Sequence, residues 1–350
     1  MSYQDKIKAY KIKENPIIMG IETSCDETAV AIIKDGRQIL ADEIISSATE
    51  HVRFGGVVPE IASRMHTTAI AIATERALKS ANMTLEDIDA FAVTEGSGLV
   101  GALLVGVSFA KALAYATGKP LVPVSHIRGH IAASYLADTS LTPPFVSILA
   151  SGGHTAVIAV KDYYDFEVYG STIDDAVGEA IDKVARILEL NYPGGPNLEK
   201  LAKEGKPTVA LPEMLKHYQG SEFDFSYSGL KTAVINYVHN ETAKGNVINK
   251  ADVACSFQSS AIDVLVKKAL KVLDKTGYKT ITISGGVSAN GYLRETLQNA
   301  VKGKDIKLVL PEKRYCTDNG AMIGAEGYLQ YKKGNFASLD LNAKAVIPLR

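Results

Sequence analysis

A polar turn set between two apolar strands occurs twice in this chain, and no other feature restricts its possible folds as much. In the first copy Ile17-Ile18-Met19-Gly20-Ile21-Glu22-Thr23 runs through Ser24-Cys25-Asp26-Glu27 into Ala29-Val30-Ala31-Ile32-Ile33. In the second, Phe145 to Ala150 runs through Ser151-Gly152-Gly153-His154 into Thr155-Ala156-Val157-Ile158-Ala159-Val160. One offset aligns Thr28-Ala29-Val30 with Thr155-Ala156-Val157 and Lys34-Asp35 with Lys161-Asp162. Such self-similarity predicts an internal duplication.

The rest of the chain alternates short apolar strands with helical patterns. Met65 to Asn82 has helical apolar spacing, Phe91-Ala92-Val93 is a short strand, and Leu99 to Thr117 predicts a buried helix ended by Gly118. Leu121 to Val124 and Thr280 to Ser284 read as further strands, the latter leading into Gly285-Gly286 and a helix. The order predicts an α/β fold of two related lobes. The expected division is an N-terminal extension over 1–16, a first lobe of 17–140 with 326–350 returning to it, and a second lobe of 145–325. Residues 193–228, rich in Pro, Gly, Tyr and charge, predict a partly helical insertion; a surface linker would have the same composition.

Composition narrows the function. A chain of 350 residues, 46% hydrophobic and 22% charged, can bury a large core unaided. Its formal net charge of -1 gives no global basic field, so contact with nucleic acid requires a local patch or a partner. Cys25, Cys255 and Cys316 are far apart and form no CxxC pair, which argues against a cysteine zinc site and suits a reducing cytoplasm. Met1 to Pro16 lacks the apolar core of a signal peptide, and the run Gly98 to Ala110 is shorter than the roughly 20 residues of a membrane span. A cytoplasmic protein without membrane contact is expected.

Several motifs carry chemistry. Hydroxyls and carboxylates crowd the turn Glu22 to Thr28, a setting for phosphate and metal, although an ordinary hairpin turn has the same residue types. Ser151-Gly152-Gly153-His154-Thr155 and Ser284-Gly285-Gly286-Val287-Ser288-Ala289-Asn290 place paired glycines at strand ends, where backbone N–H groups can approach an anion. Together these loops resemble the phosphate and adenosine loops of the actin, hexokinase and heat-shock-chaperone superfamily, a duplicated α/β fold with its nucleotide and metal in a cleft. No GxxxxGK[ST] or GxGxxG stands at these strand ends.

His126-Ile127-Arg128-Gly129-His130 puts two imidazoles one helical turn apart, able to share one ion at about 2.0–2.1 Å. The motif is not HExxH, so a metalloprotease would lack its glutamate base. In Cys316-Thr317-Asp318-Asn319-Gly320, Thr317 or Asp318 can cap the following helix, or Asp318 can complete a facial His-His-Asp set. Asp175, Glu179 and Asp182 share a helical face ahead of Tyr192-Pro193-Gly194-Gly195-Pro196. Solvation explains such a face; alternatively Asp182 accepts hydrogen bonds from ribose hydroxyls.

These motifs, with Gly55-Gly56-Val57-Val58-Pro59-Glu60-Ile61-Ala62-Ser63-Arg64 and Ser226-Tyr227-Ser228-Gly229-Leu230-Lys231-Thr232, resemble the bacterial form of the tRNA threonylcarbamoyladenosine-synthesis transferase family, once described as a glycoprotease. The resemblance covers roughly Ile17 to Gly334. Gly96-Ser97-Gly98-Leu99 departs from the family's Gly-Pro-Gly-Leu, Ser125 replaces a frequent Asn, and Gly320 a frequent Ala. The resemblance implies transfer of a threonylcarbamoyl group from threonylcarbamoyl-AMP to the exocyclic amine of adenosine 37, just 3′ of the anticodon, in tRNAs reading codons that begin with A, with AMP released. It implies one divalent metal, Fe(II) or else Zn(II), on His126, His130 and Asp318. It implies adenylate contacts from Leu149, Ala150, Ser151, Gly152, Gly153, Asp182, Gly195 and Asn290. It also implies a paralogous inactive partner subunit and a small P-loop ATPase. Asp26 and Glu27 are the candidates for handling the amine proton. The alanines Ala69, Ala71, Ala73 and Ala77 offer a helix face for the paralogue or, equally, for the protein's own core. The competing classes are a switch-like ATPase of the same superfamily and a metalloprotease.

Overall fold

The computed structural model describes residues 2–215 and 218–348. Residues 216–217 of the expected insertion and the last two of the expected 326–350 segment lie outside the described residues. The chain forms two compact units, one made of the chain up to Leu141 with the segment from Thr317, the other running from Thr142 to Cys316. Its return to the first unit comes earlier than the expected 326 and brings Asp318 into the unit that holds His126 and His130.

Each unit is built on a five-stranded sheet, and the two sheets share one topology. In the first, β1 (Ile17–Glu22), β2 (Glu27–Lys34) and β3 (Gln38–Ser46) form an antiparallel meander. β4 (Ala90–Gly96) and β5 (Leu121–Ser125) join the other side of β1 in parallel, giving the order β3-β2-β1-β4-β5. The second repeats this with the meander β6 (Phe145–Ala150), β7 (Thr155–Val160) and β8 (Phe166–Ser171) and the parallel strands β9 (Thr280–Ser284) and β10 (Lys307–Val309). Its order is β10-β9-β6-β7-β8. The central strands are buried on both faces, so they read as continuous apolar runs instead of alternating ones.

The helices fill the same gaps in each repeat. The first has α1 (Tyr3–Lys8) ahead of its sheet, then α2 (Ala48–His51) and α3 (Pro59–Ser80) before β4, α4 (Val100–Thr117) before β5, and α5 (His126–Ala137) after it. The second has α6 (Val177–Ile187), α7 (Gly194–Ala202), α8 (Tyr227–Ala243) and α9 (Lys250–Thr276) before β9, α10 (Gly291–Val301) before β10, and α11 (Gly320–Lys332) after it. Thus α5 and α11 are counterparts, each following the last strand of a repeat. Both belong to the first unit, where they pack together. α11 lies close to both α5 and β1 because glycines line the contacts. A Cβ on Gly20 of β1 would stand 2.3 Å from the Gly320 carbonyl oxygen, and one on Gly129 of α5 would stand 2.8 Å from Ile323 Cδ1. Gly320 is no neutral exchange for Ala in this backbone, since its own Cβ would lie 2.5 Å from Ala31 N.

Three expectations need correction. Ala69, Ala73 and Ala77 of α3 are buried in the first unit; Ala71 alone of the four is exposed. An arginine at Ala73 would therefore wreck the core before it touched any partner. Next, α4 buries only its inner face, from Ala102 to Ala114, and leaves Val100, Leu104 and Tyr115 exposed. Finally, α3 begins at Pro59, six residues ahead of the expected Met65, because proline at the first helical position is preorganised for it. The N-terminal extension also packs: Tyr3 and Ile7 lie in the first unit's core, and the Tyr3 hydroxyl accepts from Leu121 N at 3.0 Å. Within the expected insertion, α7 buries Leu198 and Ala202 in the second core.

Candidate functional site

The end of β5 sets the first ligand. His126 opens α5 directly after Ser125, and His130 follows one turn later; both are buried. Asp318 lies just ahead of α11. Neither it nor Thr317 caps that helix. Asn319 does, its backbone extended (φ −153, ψ 159) and its side chain accepting from Met322 N at 2.8 Å. Three adjacent polar residues compete for the cap, and Asn319, directly ahead of the helix, takes it. Asp318 is left to face the imidazoles, with Oδ1 3.5 Å from His126 Nε2 and 3.2 Å from His130 Nε2. The two rings meet edge-on, centroids 4.6 Å apart, and one ligand atom from each of the three residues lies within 4.8 Å of the others.

Behind this group stands Glu22, fully buried at the end of β1. Its Oε2 is 3.1 Å from His126 Nδ1 and accepts from Thr94 Oγ1 at 2.7 Å, while Oε1 accepts from Ser24 N at 2.5 Å. An ionised carboxylate only accepts, so His126 carries a proton on Nδ1 and turns Nε2 toward Asp318. Burial opposes charge on His126, yet Asp318 and Glu22 outweigh it and raise its pKa to about 9. Burial and the neighbouring His126 lower that of His130. Burial also opposes charge on Asp318, but the two histidines hold its carboxyl down at about 2. His130 Nε2 is buried and meets Asp318 without the geometry of a hydrogen bond, a cost that a cation between the side chains would relieve. Two imidazoles and a carboxylate converging on one point are the donor set of an Fe(II) facial triad and are acceptable to Zn(II). The residues fit a divalent metal.

The turn after Glu22 is tied down on several sides. Ser24 O accepts from Leu99 N at 2.8 Å. His66 of α3 donates from Nε2 to Cys25 O at 2.9 Å and meets Thr28 Oγ1 with Nδ1 at 2.7 Å. Asp26 is buried. Burial, then the charges of Asp318 and Asp26, push the Glu27 carboxyl up to about 9, so without a cation it is protonated at neutral pH.

In the second unit Leu149 to Gly153 close and follow β6 and Asn290 follows β9, at the C-terminal ends of parallel strands, where α/β folds place ligands, whereas Asp182 stands on α6 and Gly195 on α7. Leu149 is buried and paired with both Ala156 and Ser284; with Ala150 it forms the strand end itself. The Gly285 turn abuts it, a Cβ there falling 2.4 Å from Ala150 O. The start of α6 closes from another side: Val177 N donates to Thr155 Oγ1 at 2.8 Å and Gly178 N to Ser151 O at 3.2 Å. Gly152 and Gly153 have open space where a Cβ would be, and Gly195 nearly so. Asp182 lies against the next turn, its Oδ1 2.7 Å from a Cβ position on Gly194. Asn290 caps α10 through Oδ1 and donates to Gln258 Oε1 at 3.0 Å, leaving one N–H and one lone pair to spare. Asp175 is held by Lys183 and Lys231, and Glu179 by Lys183, so ion pairing accounts for those two acids.

Comparison with known proteins decides the family. The sequence model described as tRNA N6-adenosine threonylcarbamoyltransferase matches residues 38–325. The chain belongs to that family. Proteins of this name from Clostridium botulinum (strain Kyoto / Type A2) and Staphylococcus aureus (strain Newman) are each 50% identical over 333 residues, covering 95% of this chain and 97% of theirs. The chain is thus a threonylcarbamoyltransferase acting on N6 of adenosine in tRNA. Among solved structures it resembles T. kodakarensis HypF, with TM-score 0.61 and 15% identity over 94% of this chain and 50% of that one. It also resembles the Acidaminococcus fermentans (R)-2-hydroxyglutaryl-CoA dehydratase component A, with TM-score 0.53 and 19% identity over 91% and 99%. These likenesses show that the chain shares its duplicated α/β fold with those two proteins. For this transferase, sequence reasoning passed over Glu22 as the orienting partner of His126. The available signal was a lone acid closing a wholly apolar strand.

Proposed function

We propose that the enzyme transfers the threonylcarbamoyl group of threonylcarbamoyl-AMP to the exocyclic amine of adenosine 37 in tRNAs reading codons that begin with A, releasing AMP. The convergence of His126, His130 and Asp318 beside Glu22 carries this reading. These three would hold one divalent metal, iron(II) by the donor set, with zinc(II) as the alternative. Bound there, it would polarise the carbamoyl carbonyl and stabilise charge developing on attack. Glu22 keeps His126 in the ligating tautomer. The amine nitrogen bonds to the carbamoyl carbon, the bond from that carbon to the phosphate oxygen breaks, and AMP leaves with the electron pair. The amine proton goes to water or a carboxylate. Glu27 can accept it only once a nearby cation has ionised it, so Asp26 is the first residue to replace.

The adenylate would lie on the strand ends of the second unit, against Leu149 to Gly153, with Gly195 and Asn290 beside it and Asp182 accepting from the ribose. The open faces of Gly152, Gly153 and Gly195 support this, since bare backbone lets a ligand approach. The paralogous subunit would dock on the outer faces of α3 and α4, where Ile72, Leu104 and Tyr115 are exposed. The small P-loop ATPase is inferred from the family resemblance, and the cytoplasm is where such tRNA is met. The test supplies purified chain, metal, synthetic adenylate and unmodified tRNA, with and without the partners. Modified adenosine and AMP in equal amounts are expected. AMP release without modified adenosine, or transfer by metal-free protein at the full rate, would overturn the reading.

A further inference from the structure

Residues 47–58 combine a rigid underside with an exposed ring. His51 is buried; its Nδ1 accepts from Val58 N at 3.3 Å, so Nε2 holds the proton and donates to Ser47 Oγ at 3.1 Å. Ser47 Oγ in turn donates to Asp26 O at 2.9 Å, and Ser47 N donates to the same carbonyl. This chain of bonds fastens the loop to the turn after Glu22, the partner of His126. Above it, Val52–Phe54 form one 3-10 turn, stopped by Gly55 at φ 68. Phe54 is 51% exposed and Val52 47%. The Arg53 guanidinium lies 4.8 Å from the centre of the Phe54 ring. A phenylalanine so placed contributes little to a core, and its support is far more ordered than a solvent-facing loop requires.

We infer that Phe54 and Arg53 are a stacking platform for a nucleobase of the tRNA loop that carries the acceptor adenosine. The inference rests on the tRNA-modifying activity of the family and extends the proposed function to where the RNA is held. An N6 amine inside a stacked and paired helix is out of reach, so its loop must be splayed. Splayed bases are held on aromatic rings and guanidinium planes. Along residues 50–64 the acids Glu50 and Glu60 balance Arg53 and Arg64. Stacking, more than charge, therefore does the holding. A protein partner anchored on Phe54 is the competing occupant. The bonds through His51 and Ser47 to the metal-side turn favour the RNA, whose reacting amine has to reach that turn.

The test is steady-state transfer by the full chain in the complete reaction, with unmodified tRNA varied. Phe54→Ala should raise the KM for tRNA roughly tenfold or more, the loss typical of one base–aromatic stack. Metal content and thermal midpoint should not change. Phe54→Trp should restore the KM and Phe54→Leu should not. Arg53→Ala should raise the KM less than Phe54→Ala does. An unchanged KM for tRNA in Phe54→Ala, including a variant that loses only kcat or only partner binding, overturns the inference. A wild-type protein that binds tRNA through Phe54 but takes nothing from the adenylate would sink the donor reading and uphold this one.

Discussion

The two sheets share a strand order and differ most at one place, the end of the first strand. In the first repeat β1 ends on Glu22, and the turn beyond is built of hydroxyls and acids held by His66 and Ser47. In the second, β6 ends on Ala150 and the turn is bare glycine, open above. Even the shared threonine does different work. Thr28 meets a side chain, His66 Nδ1, whereas Thr155 accepts the first backbone N–H of α6. One duplicated frame thus carries an acidic, tied-down turn in one half and a bare, open turn in the other, the division that the proposed function assigns to cation and anion. The strands themselves needed no change, because sheet packing does not depend on the residues beyond the last pair.

On that division the largest effect should come from the three proposed ligands. His126→Ala should strip the metal and lower transfer by more than the roughly hundredfold typical of an orienting partner. The fold should survive, since Glu22 keeps its bonds from Thr94 and Ser24. Asp318→Asn should lose metal with no change in melting point, because Asn319 is the cap. Full metal occupancy in either folded variant, by elemental analysis, would break the comparison.

A second effect lies in the seam between α5 and α11. Glu326 is buried beside Gln330, with Arg128 at 4.0 Å, and burial lifts its carboxyl from 4.5 to about 7 despite these partners. Between those values the folded chain holds a proton that the unfolded chain has lost. Stability should therefore fall as pH rises through that window, by at most about 3 kcal/mol. Denaturation of Glu326→Gln across pH 4 to 8 should lack this slope; parallel curves for the two proteins would refute it.

Glu22→Gln is expected to weaken metal binding about 10–100-fold while leaving AMP binding in the second unit alone. The smallest effect is also the most direct comparison of the repeats. Thr28→Val and Thr155→Val should each cost about 1 kcal/mol in denaturant unfolding. The first should loosen metal binding and the second AMP binding. Crossed effects would mean that the two turns do not have separate duties.

The duplicated strands were legible because buried strands are continuous apolar runs, and the spacing of His126 and His130 was legible because a helix repeats every turn. What failed was whatever depends on distant partners. Ala73 looks the same on an outer or an inner face until β2 and β3 are packed beneath it. Thr317, Asp318 and Asn319 are indistinguishable as caps until the structure shows that the helix starts at Gly320 and Asn319 accepts from Met322 N. Glu22 reads as the edge of a turn, since Thr94 and His126, its partners, stand far along the chain. Val58-Pro59 did carry a local helix-start signal that the later apolar spacing masked.

The placement of α11 also sets an order of events. The first unit has its sheet within residues 17–125, but the helix that packs against Gly20, with Asp318 just ahead of it, follows the whole of the second unit in the chain. On the ribosome, that half waits with an open seam until the other half has been synthesised. A polypeptide cut short between His130 and Asp318 would have both histidines without the carboxylate that faces them. Completion of the His126, His130 and Asp318 cluster therefore requires that the whole second unit has already been translated.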